Sequence, residues 1–171
     1  MSNYRQYDAR WGHTKYPKGN DNVANSGCGP TACADLISII NKKVTPKVTA
    51  KFMVKHGYAI PNAGTAHAGI PACLKHFGVD AKFIEHMKDF FKKGTFAVIL
   101  FRGGTKGGVT WTNGGHYVAC VDVKKKGKKH YLKIYDPGPR KNDGWFCYED
   151  TMKGLIIKAW EVKLPMKATK K

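Results

Sequence analysis

Acidic residues are scarce in this chain. Twelve Asp and Glu stand against 30 Lys and Arg, a formal net charge of +18 over 171 residues. Long apolar runs are missing too. No stretch reaches the roughly eighteen consecutive apolar residues of a membrane-spanning helix, so no membrane span is expected. The N-terminal segment MSNYRQYDARWGH has no apolar signal-peptide core, which points to synthesis in the cytoplasm without a signal peptide. Cys-x-x-Cys pairs are absent, which removes the usual structural zinc pattern. The five cysteines, Cys28, Cys33, Cys73, Cys120 and Cys147, are odd in number, so a disulfide framework is not expected. Zinc-finger spacing, RNP-like aromatics and basic heptads are lacking. The charge therefore indicates no specific nucleic-acid partner, only affinity for polyanions such as anionic wall polymers.

The chain is long enough for one domain with a sizeable core, and its apolar fraction of 42% is that of a globular protein. Residues 1–27 read as an irregular arm. Helical spacing follows over 31–41, 47–56 and 66–77, with a shorter amphipathic piece at 86–92. The pattern then changes. FAVILF (96–101) is a continuous apolar run that suits a buried strand, and 102–115 reads as a glycine-rich loop. HYVACVDV (116–123) and HYLKIYD (130–136) form a hairpin across the turn KKKGKKH, whose lysines fit a solvated bend. A last strand is expected over 155–163. Helices first and an antiparallel sheet second predict an α+β fold. The domain is expected to span 1–164, with 165–171 a basic tail or truncated linker, and to be a monomer. Cys33, Cys73, Cys120 and Cys147 sit in apolar contexts as small core residues.

SGCGPT (26–31) places Cys28 between Gly27 and Gly29 at the start of a helix. A helix N-terminus stabilises the thiolate, the nucleophilic form. The flanking glycines clear space for a substrate carbonyl. A tight helix entry around an inert thiol fits the same residues. A nucleophilic thiol needs a base, and the base an orienting partner. Of seven histidines, His116 is best placed: it follows Asn113-Gly114-Gly115 at the mouth of a strand, and Gly115 leaves room for substrate beside it. Asp136 ends the neighbouring strand, where its carboxylate can accept from the imidazole.

These segments together resemble the C39-like cysteine peptidases. The elements that carry the resemblance are YRQYDARWG, SGCGPTACADLISII, GGHYVACVDV and YLKIYDP, in that order. It implies a papain-like fold, an N-terminal helical half whose nucleophile helix packs on a C-terminal antiparallel sheet. It also implies Cys28 as nucleophile, His116 as base and acid, Asp136 as orienting residue, and acyl transfer that requires no cofactor. The glutamine of the papain-like oxyanion hole lies six positions before the cysteine, where this chain has Asn22. Gln6 is the other candidate.

A small cationic chain of this kind is expected to act as an endolysin-type enzyme. It would cleave an amide bond in bacterial peptidoglycan, either in the stem peptide or cross-bridge or at N-acetylmuramoyl-L-alanine, after holin-type release or lysis. Trp111 and Trp145, in glycine-flanked segments, would line a groove for the substrate; core packing is the other reading of both. The alternatives are a cysteine protease acting on a protein or leader peptide, and a non-enzymatic polyanion-binding module on a peptidase scaffold.

Overall fold

FAVILF is apolar at every position because its strand is buried on both faces. In the computed structural model, which describes residues 1–138 and 142–166, Val98 and Leu100 face one core and Ala97, Ile99 and Phe101 face the other. The alternation of a strand thus divides one run between two layers.

The helical half comes first. A short helix α1 (Val23–Ser26) leads through Gly27 into α2 (Cys28–Ile37), and α3 (Pro46–Lys55) follows with proline in its first turn. A small hairpin, β1 (Ala59–Ile60) and β2 (Gly64–Thr65), precedes α4 (Gly69–His76). The chain then builds a six-stranded sheet from β3 (Asp80–Phe83), β4 (Phe96–Lys106), β5 (Val109–Lys126), β6 (Lys129–Tyr135), β7 (Gly144–Cys147) and β8 (Ile156–Lys163). Helix α5 (Met87–Lys93) lies between β3 and β4, and α6 (Tyr148–Thr151) follows β7. The strand order is β3-β8-β4-β5-β6-β7 with antiparallel pairing throughout. This is the expected α+β architecture, with the helical half packed on one face of the sheet.

Helix α2 is buried over nine of its ten residues, Gly29 to Ile37. Ala32, Cys33, Leu36 and Ile37 share a core with Val98, Tyr117 and Ala119 of the sheet and with Ile70 and Leu74 of α4. Leu36 and Ile37 are wholly buried, and each contributes roughly 1.5–3 kcal/mol of apolar transfer. The opposite face of the sheet packs Phe101, Trp111, Leu132 and Ile134 against Met152 and Leu155.

The glycine-rich stretch 102–115 is not the loop its composition suggests. β4 runs on to Lys106 and β5 starts at Val109, so the stretch is a hairpin that turns at Gly107 and Gly108, both at positive φ. Register shifts beside Gly104 bend it, as bulges do. Strands β3 and β7, four residues each, have too short a period to be read from sequence. The helix expected from Thr31 is α2, which begins three residues earlier, at Cys28, and the arm expected to be irregular over 1–27 ends in the short helix α1. Of the expected tail at 165–171, residues 167–171 lie outside the described residues. Among the described residues no helix is long and apolar enough to cross a membrane.

The arm at the N-terminus is irregular but tied down. Asp35 of α2, fully buried, accepts the Tyr4 N–H at 2.6 Å. Burial pushes the Asp35 carboxyl well above the usual range, and the Tyr4 N–H and the Arg5 charge offset this only in part. A carboxyl raised in the fold adds stability that is complete at low pH and is lost as pH climbs through its folded value. Asp35→Asn keeps the acceptor for Tyr4 and abolishes the ionisation. Urea unfolding of both proteins at about pH 4 and about pH 8 is therefore expected to shift in favour of the asparagine variant as pH rises. An unchanged difference between the two would show that Asp35 does not titrate with the fold.

Candidate active site

Cys28 is the first residue of α2. Gly27 caps the helix without a side-chain bond, so the N–H groups of the first turn keep no side-chain partner from the cap and favour an anion beside them. The thiol is half-buried. Burial alone pushes its pKa up. The hydrogen bond and charge of His116, with backbone hydrogen bonds at Tyr117 and Gly29, outweigh burial and hold it below the ordinary thiol value.

His116 lines the same cleft as Cys28, between Gly115 and Tyr117 on β5. Its Nε2 lies 2.6 Å from Asp136 Oδ1, which leaves Nδ1 for the thiol. Burial lowers the basicity of the ring. The hydrogen bonds and charges of Asp136 and Cys28 reverse that and raise its pKa to about 10. Asp136 lies just beyond the end of β6 and is fully buried. Its Oδ1 also accepts the Gly138 N–H at 2.8 Å. The structure thus joins His116 directly to Asp136 and places Cys28 and His116 on the same cleft. Among the described residues, no group of three or more His, Cys, Asp and Glu side chains is arranged to hold a metal ion.

The cleft encloses about 830 Å³. Gln6 lines it, with Nε2 donating to the Ala24 carbonyl at 2.8 Å. Asn22 does not line it. Its Oδ1 accepts the Asn25 N–H at 3.0 Å and caps α1, so helix capping uses the oxygen of this amide. Gly115 and Trp111 line the cleft. Trp111 is nonetheless a core residue: it is 3% exposed, it stacks on Phe101 and its Nε1 donates to the Thr151 carbonyl. Trp145 is elsewhere, on β7, with Lys124 Nζ 4.1 Å above its ring, and it is not among the lining residues. Gly27 and Gly29 are spacers for packing rather than openings for substrate. A methyl group on Gly27 would meet Val23, and one on Gly29 would sit 2.5 Å from Thr65 Oγ1.

Thr65 belongs to a wall that the sequence did not reveal. The β1–β2 hairpin forms one side of the cleft through Asn62, Ala63, Gly64 and Thr65. The Tyr16 hydroxyl bonds to Thr65 Oγ1, and the Tyr117 hydroxyl donates to the Thr65 carbonyl at 3.1 Å. His67, beyond this hairpin, also faces the cleft. Burial, followed by the Lys158 charge, lowers its pKa. Gly138 was legible only as the end of an Asp-Pro-Gly turn.

Because Thr65 is held on both sides, it cannot yield to a new methyl group at Gly29. Overpacking costs about 1–3 kcal/mol, and alanine in a helix returns up to about 1 kcal/mol relative to glycine. Gly29→Ala is therefore expected to lower the melting temperature and move the hairpin wall. A variant that melts at or above the wild-type temperature would show that the hairpin gives way freely.

Comparison with known proteins places this geometry in a family. The model of the Peptidase_C39 like family matches residues 2–162. No curated protein matches the chain. Among solved structures, the peptidase domain of Streptococcus ComA, a bi-functional ABC transporter involved in a quorum sensing pathway, superposes with a TM-score of 0.58 at 14% identity. That match covers 82% of this chain and 93% of the other. A double glycine motif protease from an AMS/PCAT transporter, in complex with the leader peptide, gives 0.50 at 21% identity and covers 81% and 84%. At such identities these likenesses establish the fold, which is the papain-like one expected. The family match spans nearly the whole chain, and the protein belongs to the C39-like cysteine peptidases.

Proposed function

We propose that this protein hydrolyses a peptide bond in an extended peptide or protein substrate, with Cys28 as nucleophile, His116 as base and acid and Asp136 as orienting residue. The observation that carries this reading is the 2.6 Å contact of His116 with the buried Asp136 in the cleft that Cys28 also lines, at the N-terminus of α2. In the reacting form the pair stands as thiolate and imidazolium. The thiolate attacks the carbonyl carbon, forming the C–S bond, and the carbonyl electrons move to oxygen. The Cys28 N–H and the second N–H of Gln6 Nε2 hold that oxyanion. The C–N bond then breaks and His116 gives its proton to the leaving amine. Water, deprotonated by His116, then attacks the thioester carbonyl; the C–S bond breaks, the acid product leaves and the thiolate–imidazolium pair is restored.

Small residues flank the reacting centre: Ala24, Ala63, Gly64 and Gly115 all line the cleft. Walls without bulk let a substrate backbone come close to the thiol. The relative described in complex with a leader peptide is called a double glycine motif protease, and a leader-type substrate is the reading we favour for this chain as well. The net charge of +18 favours a second one, cleavage of peptidoglycan on an anionic wall. Both are distinguished by one experiment. Purified protein is incubated with peptides carrying Gly-Gly or Ala-Gly bonds and, separately, with purified Gram-positive sacculi. Cleavage of peptides with sacculi intact supports the first reading. Clearing of sacculi, abolished by Cys28→Ala, supports the second.

Two amide variants test the oxyanion donor. Gln6→Ala is expected to reduce kcat by on the order of 10²- to 10³-fold. Asn22→Ala removes a helix cap, lowers stability by about 0.5–2 kcal/mol and leaves kcat near wild type. The reverse pattern would move the role to Asn22.

The thiolate itself is read by alkylation. With the thiol lowered and His116 raised to about 10, iodoacetamide is expected to react with Cys28 well below the ordinary thiol range. His116→Ala should return the reaction to that of a plain buried thiol. A wild-type profile that rises only in the ordinary thiol range would show that no ion pair forms.

A further inference from the structure

Asp136 is held by its backbone as well as through its side chain. Its N–H donates to Asp143 Oδ1 at 2.7 Å, and its carbonyl accepts from Arg5 Nη1. Arg5 and Asp143 in turn form an ion pair through both guanidinium nitrogens, with Nη1 to Oδ1 at 3.1 Å and Nη2 to Oδ2. Asn3 Nδ2 donates to the same Oδ2 at 2.9 Å. The Gln6 N–H donates to the Pro137 carbonyl at 3.0 Å. Arg5 is 9% exposed and the Asp143 side chain 21%, so the pair is far less screened than one in open water.

A buried ion pair is weak evidence for stability, since desolvation takes back most of the attraction. Its place next to the carboxylate that contacts His116 points to another role. The rigid fork of arginine suits it to fix two acceptors at once, here the Asp143 carboxylate and the Asp136 carbonyl. The same stretch of arm, Tyr4 to Gln6, is anchored to α2 through Asp35 and puts the Gln6 side chain into the cleft. One short segment therefore touches the helix that bears Cys28, the turn that bears Asp136 and the site of oxyanion formation.

We infer that Arg5 and Asp143 are positioning residues for catalysis: together they clamp the Asp136 backbone and so set the carboxylate against His116 Nε2. This rests on the proposed roles of Cys28, His116 and Asp136. Neither residue touches the reacting atoms, and both act through Asp136. A purely structural pair would alter stability alone. A positioning pair alters the imidazolium, because His116 owes its raised pKa in large part to Asp136.

The test uses the whole protein and two variants. Arg5→Met with Asp143→Leu replaces the pair by apolar side chains of similar size and leaves no buried charge alone. Asp143→Asn keeps an acceptor for the Asp136 N–H and removes the charge. Each is checked for native folding by circular dichroism and then profiled for the pH dependence of Cys28 alkylation and for kcat and KM on the cleaved peptide. The upper limb of the double variant's alkylation profile, where the imidazolium is lost, is expected to fall by about one unit, a tenfold change in the ionisation constant. Its kcat should fall by up to about 10²-fold, as for a misplacement on the order of 1 Å, with KM little changed. Asp143→Asn should show a smaller shift in the same direction, and it decides the matter if the double variant does not fold. Folded variants with the wild-type upper limb and kcat overturn the inference. A wild-type protein with no thiolate at neutral pH would instead overturn the catalytic reading on which it rests.

Discussion

The seating of α2 against the sheet is the constraint on which the other features of the cleft depend. Ala32, Cys33, Leu36 and Ile37 lock the helix onto Val98, Tyr117 and Ala119, and a packed core of this density does not let a helix slide. The first turn of α2 then has one possible height relative to β5. Cys28 is at that height, and His116 adjoins Tyr117 there. In the proposed reaction, a thiol on a mobile loop would have to be ordered for every turnover. Here the ordering is done by the core, well away from the reacting atoms.

Charge is treated differently on either side of the site. The surface carries an excess of lysine, much of it exposed. The interior holds Asp35, Asp136 and Arg5, nearly or wholly buried, with Asp143 at their edge. Burying such groups without partners is costly, and the arm at residues 3–6 supplies partners for most of them. Asp35 takes the Tyr4 N–H, Asp143 takes Arg5 and Asn3, and the Asp136 carboxylate takes His116 and Gly138 while its backbone carbonyl takes Arg5. The arm has little regular structure, and its sequence looks like a loose end. In the fold it joins the two halves through polar contacts, as Tyr117 does at Thr65, while α2 joins them through apolar ones.

What could be read from the sequence follows from the range of the interactions involved. The helices of the first half and the strands FAVILF, HYVACVDV and HYLKIYD were legible because their periodicity is local. Cys28 and Asp136 were legible because each stands at the end of such an element, beside glycine or proline; His116, expected at the mouth of a strand, lies within β5 and was legible from the glycines before it. The 102–115 hairpin was not, since glycine in a bent strand looks the same as glycine in a loop until the partner strand is known. Trp145 and Trp111 could not be told apart, because an aromatic beside glycines suits a groove and a core equally. The Thr65 wall and the Arg5–Asp143 clamp depend on contacts between residues far apart in the chain. No local pattern records them.

The clamp has a consequence for the order in which the protein acquires its chemistry. Arg5 and Asp143 are 138 positions apart, so nearly the whole chain separates the two ends of one ion pair. Synthesis runs from the N-terminus, and the helix bearing Cys28 emerges early. His116, Asp136 and Asp143 emerge much later. Through most of its elongation the nascent chain carries a thiol without its base and an arginine without its acid. Long-range pairing of this kind is also among the slower events of folding. On the proposed roles, the nucleophile is switched on by completion of the domain, and the growing chain carries no activated thiol beside unfolded peptide that it could attack.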